Sequence, residues 1–366
     1  MSGTSLDGVD AAAIDTDGER IDGVGRSVTL RYDPTLRAAL RSLIDRAAAG
    51  ALPGDDPALR AAETALTLRH AEAVAALDTP CDLVGFHGQT ILHRPERGLT
   101  WQIGDAGLLA RSIGVPVAWD FRSADVAAGG QGAPLAPLFH ATLARDLPGP
   151  LAVLNLGGVA NLTWLGDARP GGAGPGNVEQ GHAEQGGRAI LACDTGPGNA
   201  ALDDWAMRHT GHPVDQDGAL ARAGTVDEAL VARLLEHPFF ERTPPKSLDR
   251  QDFADPLGDV GLSAADGAAT LTEFTARAVA AIRLPARPVR WLVCGGGRHN
   301  PALMHALRRV LQVPVEPVEA VGWDGDALEA RCFGFLAARV RRRLPLSLPG
   351  TTGVREPWPG GRIEDP

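Results

Sequence analysis

Asp194 lies in the stretch Ala192-Cys193-Asp194-Thr195-Gly196-Pro197-Gly198-Asn199, after the apolar run Ala189-Ile190-Leu191 and before Ala200-Ala201-Leu202. That order predicts a strand, a glycine turn and a helix. A carboxylate at a strand end, facing a turn whose glycines let a ligand reach the backbone, can act as a base. The same residue can also simply cap its turn. Two other glycine-bearing stretches have the chemistry to hold phosphate, since bare N–H groups and hydroxyls do so without bulk. The first is Gly3, Thr4, Ser5, Leu6, Asp7 and Gly8, running into the alternating strand pattern that starts with Val9 and Asp10; the second is Asn155, Gly157 and Gly158 between predicted strands at 151–156 and 160–165. Either can equally be a solvated hairpin tip. A third run, Gly295-Gly296-Gly297, follows the apolar segment 289–294 and precedes Asn300-Pro301. Three glycines there let a flat ring lie against the backbone, with Asn300 as helix cap or ligand contact.

Further polar residues gather at predicted strand ends. Gln89 follows His87-Gly88, and Asp120 and Arg122 follow the strand 115–119. Arg122 is suited to fork onto a substrate carboxylate, or to pair with Asp120 or Asp125. His87 reads as a residue that orients a loop rather than as a general base. Gly130, Gln131 and Gly132 form a glycine-rich joint before an apolar helix, a candidate hinge. Glu329 lies on a final amphipathic helix at 326–343, where a single glutamate reads as solvated.

To position these groups the chain needs more than one core, and 366 residues are enough for two. The expected division is 1–127 joined by 345–366, and 128–344, with a glycine-tipped hairpin opening each part. Helices are expected at 33–49, 57–77, 199–209, 226–236 and 263–284, with Asp33-Pro34 and Ser263 as starts. Acidic residues outnumber basic ones 45 to 35, for a formal charge of -10, which is not the footprint of a nucleic-acid binder. No apolar run approaches the ~20 residues of a membrane span, and the polar start is no signal peptide, so the cytoplasm is expected. Cys81, Cys193, Cys294 and Cys332 are widely spaced and read as small core residues rather than as a disulfide frame or zinc site.

Six ordered stretches carry a family likeness: Met1-SGTSLDGVD-Asp10, GFHGQT from Gly85, DFRSADVAAGGQGAPL from Asp120, LNLGGVANLT from Leu154, CDTGPGN from Cys193 and CGGGRHNPALM from Cys294. Together they resemble the anhydro-N-acetylmuramic acid kinases. The resemblance implies an α/β, two-lobed, actin-like ATPase (ribonuclease H-like) fold, with duplicated mixed sheets flanked by helices and an ATP cleft between the lobes. It also implies the reaction: water opens the 1,6-anhydro bridge of 1,6-anhydro-N-acetylmuramic acid while ATP phosphorylates O6, in cell-wall recycling. On this likeness Asp194 is the base and Glu329 helps to position the water. Gly3 to Asp10 and Asn155 to Gly158 are the phosphate loops, and Gly295 to Asn300 meet the base and ribose. Mg²⁺ bridges the phosphates, held by Asp7 through water. Gln89, Asp120, Arg122 and the 130–134 loop meet the sugar, and a homodimer is implied. The competing readings are a related sugar kinase acting on a free hydroxyl and a non-catalytic ATP-binding switch on the same fold.

The chain departs from the family pattern in three places. Family members carry an apolar strand ahead of Ser-Gly-Thr, so the expectation is either a start upstream of Met1 or a phosphate loop without its central strand. The segment 166–187 is longer than usual. The segment 245–252 lacks a glycine of the family's Pro-Lys-Ser-Thr-Gly-Arg-Glu and is expected to lie away from the reacting atoms.

Overall fold

The computed structural model describes residues 1–3, 6–50, 56–167, 183–185, 188–248, 250–253, 255–258 and 260–366. Thr4, Ser5, Asp249 and most of the 166–187 stretch lie outside the described residues. In chain order the strands and helices begin with β1 (Gly8–Thr16), β2 (Ile21–Arg31), α1 (Pro34–Ala48), α2 (Pro57–Leu77), β3 (Val84–Gly85), β4 (Gln89–Arg94) and β5 (Leu99–Ile103). Then come α3 (Ala106–Ile113), β6 (Val117–Trp119), α4 (Ser123–Ala127), α5 (Pro137–Leu143), β7 (Leu151–Leu156), β8 (Val159–Leu165), β9 (Ala183–Gln185) and β10 (Arg188–Pro197). The remainder is α6 (Ala200–Thr210), α7 (Ala219–Ala223), α8 (Glu228–Leu235), α9 (Ala264–Ala280), β11 (Arg290–Cys294), α10 (Pro301–Leu311), β12 (Val315–Pro317), α11 (Leu328–Arg341), β13 (Pro345–Ser347), α12 (Pro349–Thr352), β14 (Trp358–Pro359) and β15 (Arg362–Glu364).

Local chemistry sets the helix starts. The Asp33 carboxylate accepts the N–H groups of Thr35 and Leu36, with Pro34 supplying a preset φ at the first helical position. Ser263 caps α9 through the Asp266 N–H, and Asn300 with Pro301 opens α10 in the same way. These are the caps the sequence predicts.

Packing divides the chain into Met1–Leu143 with Ala327–Pro366, and Ala144–Asp326. The sequence places the joints after 127 and 344 instead. The difference lies in α5 and α11: Phe139 of α5 stacks 5.6 Å from Phe335 of α11, so both helices belong to the first unit. The glycine-rich joint at 129–132 therefore lies inside that unit and not at its border.

In the second unit one mixed sheet runs in the order β12-β11-β7-β8-β10-β9. β12, β11 and β7 are parallel, whereas β7, β8 and β10 alternate, so β7, β10 and β11 all end on the same side. Side chains alternate across a strand. Leu154, Leu162 and Cys193 fill one row of the core against Val279 of α9 and Leu307 of α10. The next row, Asn155, Asn161 and Asp194, faces the other side of the sheet.

In the first unit the described strands form separate small sheets, β1-β2, β15-β6-β3, β4-β5 and β13-β14, rather than one mixed sheet. Leu36, Leu40 and Leu43 of α1 and Leu66 and Ala73 of α2 pack on Leu6, Val9, Ile91 and Ile103. Met1 and Ser2 pair with Asp10 and Val9, so the start of β1 does have a short partner segment. Beyond that bridge the free edge of β1 and the segment 79–86 around β3 border a cavity of about 960 Å³.

Candidate active site

At the shared end of β7, β10 and β11 the second unit collects most of its expected site residues. Asp194 is near the end of β10, directly opposite Asn161, which is itself opposite Asn155. Past Asp194 the register slips by one residue as Gly196 takes φ +146°, a conformation that glycine tolerates best. The chain then crosses the β7-β8 turn. Gly198 N–H donates to the Gly158 carbonyl at 2.9 Å and Asn199 N–H to the Gly157 carbonyl at 2.8 Å. An added Cβ on Gly198 would come within 2.1 Å of the Gly157 oxygen, so only glycine fits there.

The 295–297 run packs on the same turn. A Cβ on Gly295 would come within 2.3 Å of Asn155 Oδ1, and one on Gly297 within 2.4 Å of Asn199 Oδ1. Gly157, Gly158 and Gly296 differ from these. Cβ atoms on them would meet nothing closer than 3.3 Å, so the space beside their Cα atoms is open. Asn155, Gly157, Gly158, Gly295, Gly296 and Gly297 are thus brought together. Asn300 stands beyond them, and its Oδ1 is engaged by the N–H groups of Ala302 and Leu303 as a helix cap.

Asp194 is surrounded on the side away from the core. Its N–H donates to the Lys246 carbonyl at 2.9 Å, and its Oδ2 accepts the Leu248 N–H at 2.7 Å. Of the segment 245–252, expected to lie apart from the reacting atoms, Lys246 and Leu248 instead lie against this carboxylate. Two hydrogen bonds that span more than fifty residues of chain hold them there. Burial pushes the Asp194 carboxyl up to about 7, against the opposing pull of the Leu248 N–H, Lys246 and Arg242. A carboxylate with a pKa near the working pH is suited to accept a proton and release it again.

The first unit gathers a second group. Arg122 donates from Nε to His87 Nε2 at 3.1 Å and from its guanidinium to the Gly132 carbonyl at 2.6 Å. Arginine only donates, so His87 Nε2 is an acceptor, and the proton is on Nδ1, which donates to the Gly88 carbonyl at 3.0 Å. Burial first, then the neighbouring Arg122, hold the His87 pKa well below the ordinary histidine value. His87 is therefore a neutral orienter of Arg122. The alternative reading of Arg122, a pair with Asp120 or Asp125, is not what forms: Asp120 pairs with Arg362 at 3.2 Å, and Asp125 accepts the Gly132 N–H and the Thr352 hydroxyl.

The 130–132 loop is fixed throughout. A Cβ on Gly130 would reach within 2.3 Å of Asp125 Oδ2. Gln131 N–H donates to the Thr352 carbonyl at 2.7 Å, and its own carbonyl accepts His93 Nε2–H at 2.9 Å. Glu329, on the first turn of α11, is exposed to solvent. The surrounding protein raises its carboxyl above the usual value, while Arg122 and the terminal amine pull it down. Solvent access weakens both influences.

Gln89 is fully buried and accepts the Ser2 hydroxyl, so it anchors the N-terminal segment. Leu6 and Val9 bury their side chains in the core and leave only backbone for a phosphate. Gly8 is pressed against Leu30 in the β1-β2 pair, and Asp10 accepts the Thr29 hydroxyl. Gly3 accepts the Leu6 N–H in the turn. The Asp7 side chain is 69% exposed, 3.3 Å from Arg37. That suits Mg²⁺, which keeps its waters and needs one or two carboxylates beside phosphate oxygens. Among the described residues no three His, Cys, Asp or Glu side chains gather as a protein-only metal site. No helix among them is long and apolar enough to cross a membrane. Cys81 is exposed, unlike the buried Cys193, Cys294 and Cys332, because it follows Pro80 in the loop after α2.

Sequence reasoning missed Lys246, the Leu248 N–H, Asn161 and His93. Asn161 alone left a readable signal, since it pairs with Asn155 once the Gly157-Gly158 hairpin is placed.

Comparison with known proteins bears on what these groups do. The family model described as anhydro-N-acetylmuramic acid kinase matches residues 1–364. A protein of that name from Acidiphilium cryptum (strain JF-5) is 62% identical, covering all of this chain and 97% of its own length. Those from Gluconobacter oxydans (strain 621H) and Rhodospirillum rubrum are 54% and 52% identical over 99% of this chain, and over 98% and 92% of their own. Among solved structures, a ROK family glucokinase from Streptomyces griseus in complex with glucose and AMPPNP covers 89% of this chain and 94% of its own at 15% identity and a TM-score of 0.34, too low to bear on the fold. On its family match and its full-length relatives, the chain belongs to the anhydro-N-acetylmuramic acid kinase family.

Proposed function

We propose that this chain uses ATP to open the internal bridge of 1,6-anhydro-N-acetylmuramic acid and to phosphorylate the oxygen released. Water attacks the anomeric carbon, the C1–O6 bond breaks, and O6 takes the γ-phosphoryl group. The products are N-acetylmuramic acid 6-phosphate and ADP. Asp194 takes the proton from the attacking water. The observation that supports this role is a carboxyl raised to about 7 at the strand end where the glycine turns converge. Glu329 orients the water. Arg122, held by His87 and Gly132, offers its remaining donors to the acidic sugar, beside Asp120 and the 130–132 loop.

The Gly157-Gly158 turn takes phosphate oxygens, as does the segment from Gly3 to Asp10, Thr4 and Ser5 among them. The open face of Gly296 takes the nucleoside, with Gly295, Gly297 and the Asn300 cap fixing the shape of that surface. Asp7 would hold Mg²⁺ through water, which would supply positive charge beside the phosphates. The reaction belongs where ATP is found, in the cytoplasm, and a homodimer is the assembly we expect.

Purified chain given ATP, Mg²⁺ and the anhydro sugar should release one ADP per bridge opened. N-acetylmuramic acid, which lacks the bridge, should give at most a few per cent of that rate. Equal rates on both sugars would replace this reading with a kinase for a free hydroxyl.

A further inference from the structure

Lys246 is the chain's one lysine, and its side chain is buried, with the residue 3% exposed. Its ammonium donates to the Phe239 carbonyl at 2.9 Å and lies 4.2 Å from the centre of the Phe239 ring and 6.0 Å from that of Phe240. Phe240 in turn packs edge-on against Phe274 of α9, 5.8 Å away. The lysine is thereby bolted to the body of the second unit at its tip. At its other end its carbonyl accepts the Asp194 N–H, and two residues on, the Leu248 N–H reaches Asp194 Oδ2.

Burying an ammonium costs several kcal/mol, and an apolar side chain would anchor the segment without that cost. The charge therefore needs a purpose beyond anchoring. One carbonyl and two ring faces offset part of the desolvation, and Asp194 is the carboxylate whose field it shares. The groups facing Asp194 are Lys246, Arg242 and the Leu248 N–H.

We propose that Lys246 is a positioning residue for Asp194: its anchored side chain holds the 246–248 segment so that the Leu248 N–H fixes one carboxylate oxygen. Its charge acts in the same direction, favouring the ionised carboxylate. This rests on the reading of Asp194 as the base. Lys246→Met keeps an unbranched side chain one atom shorter and removes its charge. Its kcat should fall about tenfold on the acid limb of the pH profile, with the limb displaced about one unit upward, the KM for ATP unchanged and much of the rate recovered at high pH. Lys246→Arg should bring the limb back toward the parent. A merely structural lysine would lower activity at every pH alike.

A second measurement needs no variant at this position. With a single lysine, protein labelled with ¹³C at lysine Cε gives one resonance, and its shift should follow the ionisation of Asp194 and lose that step in Asp194→Asn. A limb that stays in place in Lys246→Met, or a resonance blind to Asp194 if that variant does not fold, overturns the proposal. Full turnover by Asp194→Asn would instead overturn the reading of the base.

Discussion

Asp194→Asn is expected to bind ATP with a KM close to that of the parent and to lose about 10²–10⁴-fold in kcat, the range for a positioned base. Asparagine keeps an oxygen for the Leu248 N–H at the site now 2.7 Å away, so the carboxylate's shape is retained while its proton affinity is lost. The same variant should be more stable than the parent at neutral pH. Because burial raises the Asp194 carboxyl to about 7, above its ordinary 3.8, the folded state binds more protons than the unfolded one between those values. Asp194 therefore makes the parent progressively less stable as pH rises from about 4 through 7. The variant carries no such penalty. Thermal melts of both proteins should nearly coincide near pH 4 and separate by pH 8, and coincidence at pH 8 would mean that the site does not disfavour the charge.

Gly295→Ala should have the other large effect, through geometry rather than chemistry. Gly295 takes φ +76°, and a methyl there would lie 2.3 Å from Asn155 Oδ1 and 2.7 Å from the Leu156 carbonyl. Left-handed strain and overpacking together should cost about 2–4 kcal/mol and push the β7-β8 turn away from the glycine run. Urea unfolding should show the loss, and the KM for ATP should rise at least ~10-fold. Gly296→Ala is the control. Its nearest neighbour would be Asn199 Nδ2 at 3.6 Å, an ordinary contact, so stability should change by less than about 0.5 kcal/mol. A KM that rises there without loss of stability would mark the surface where the nucleoside lies. Identical behaviour of the two variants would contradict the packing argument.

What was legible in the sequence was local. Asp33-Pro34, Ser263 and Asn300-Pro301 predict their helix starts because a cap and its N–H partners lie within three residues. The Gly157-Gly158 hairpin and the strand leading to Asp194 were readable for the same reason. Contacts made across long stretches of chain were not. The grip of Leu248 on Asp194 spans 54 residues and that of Thr352 on Asp125 spans 227, and no periodicity or turn signal records either. Gln89 was misjudged for a related reason: a polar residue at a strand end looks ready for a ligand, but here Ser2, 87 residues away, uses its oxygen. The assignment of α11 to the first unit depends on tertiary packing too, through Phe335 and the contact of Arg331 with the Gly25 carbonyl at 3.0 Å. The motif around Asp194 is enough to nominate it as the candidate base. Its raised pKa could not be read there, because that depends on what covers it.

The most direct test is a single turnover in H₂¹⁸O, quenched early and read by mass spectrometry. If Asp194 directs water to the anomeric carbon, one ¹⁸O should appear on the sugar in step with ADP, outside the phosphate ester, and Asp194→Asn should show neither. Label in inorganic phosphate, with the anhydro bridge intact, would mean that the water attacks ATP instead and would contradict the account.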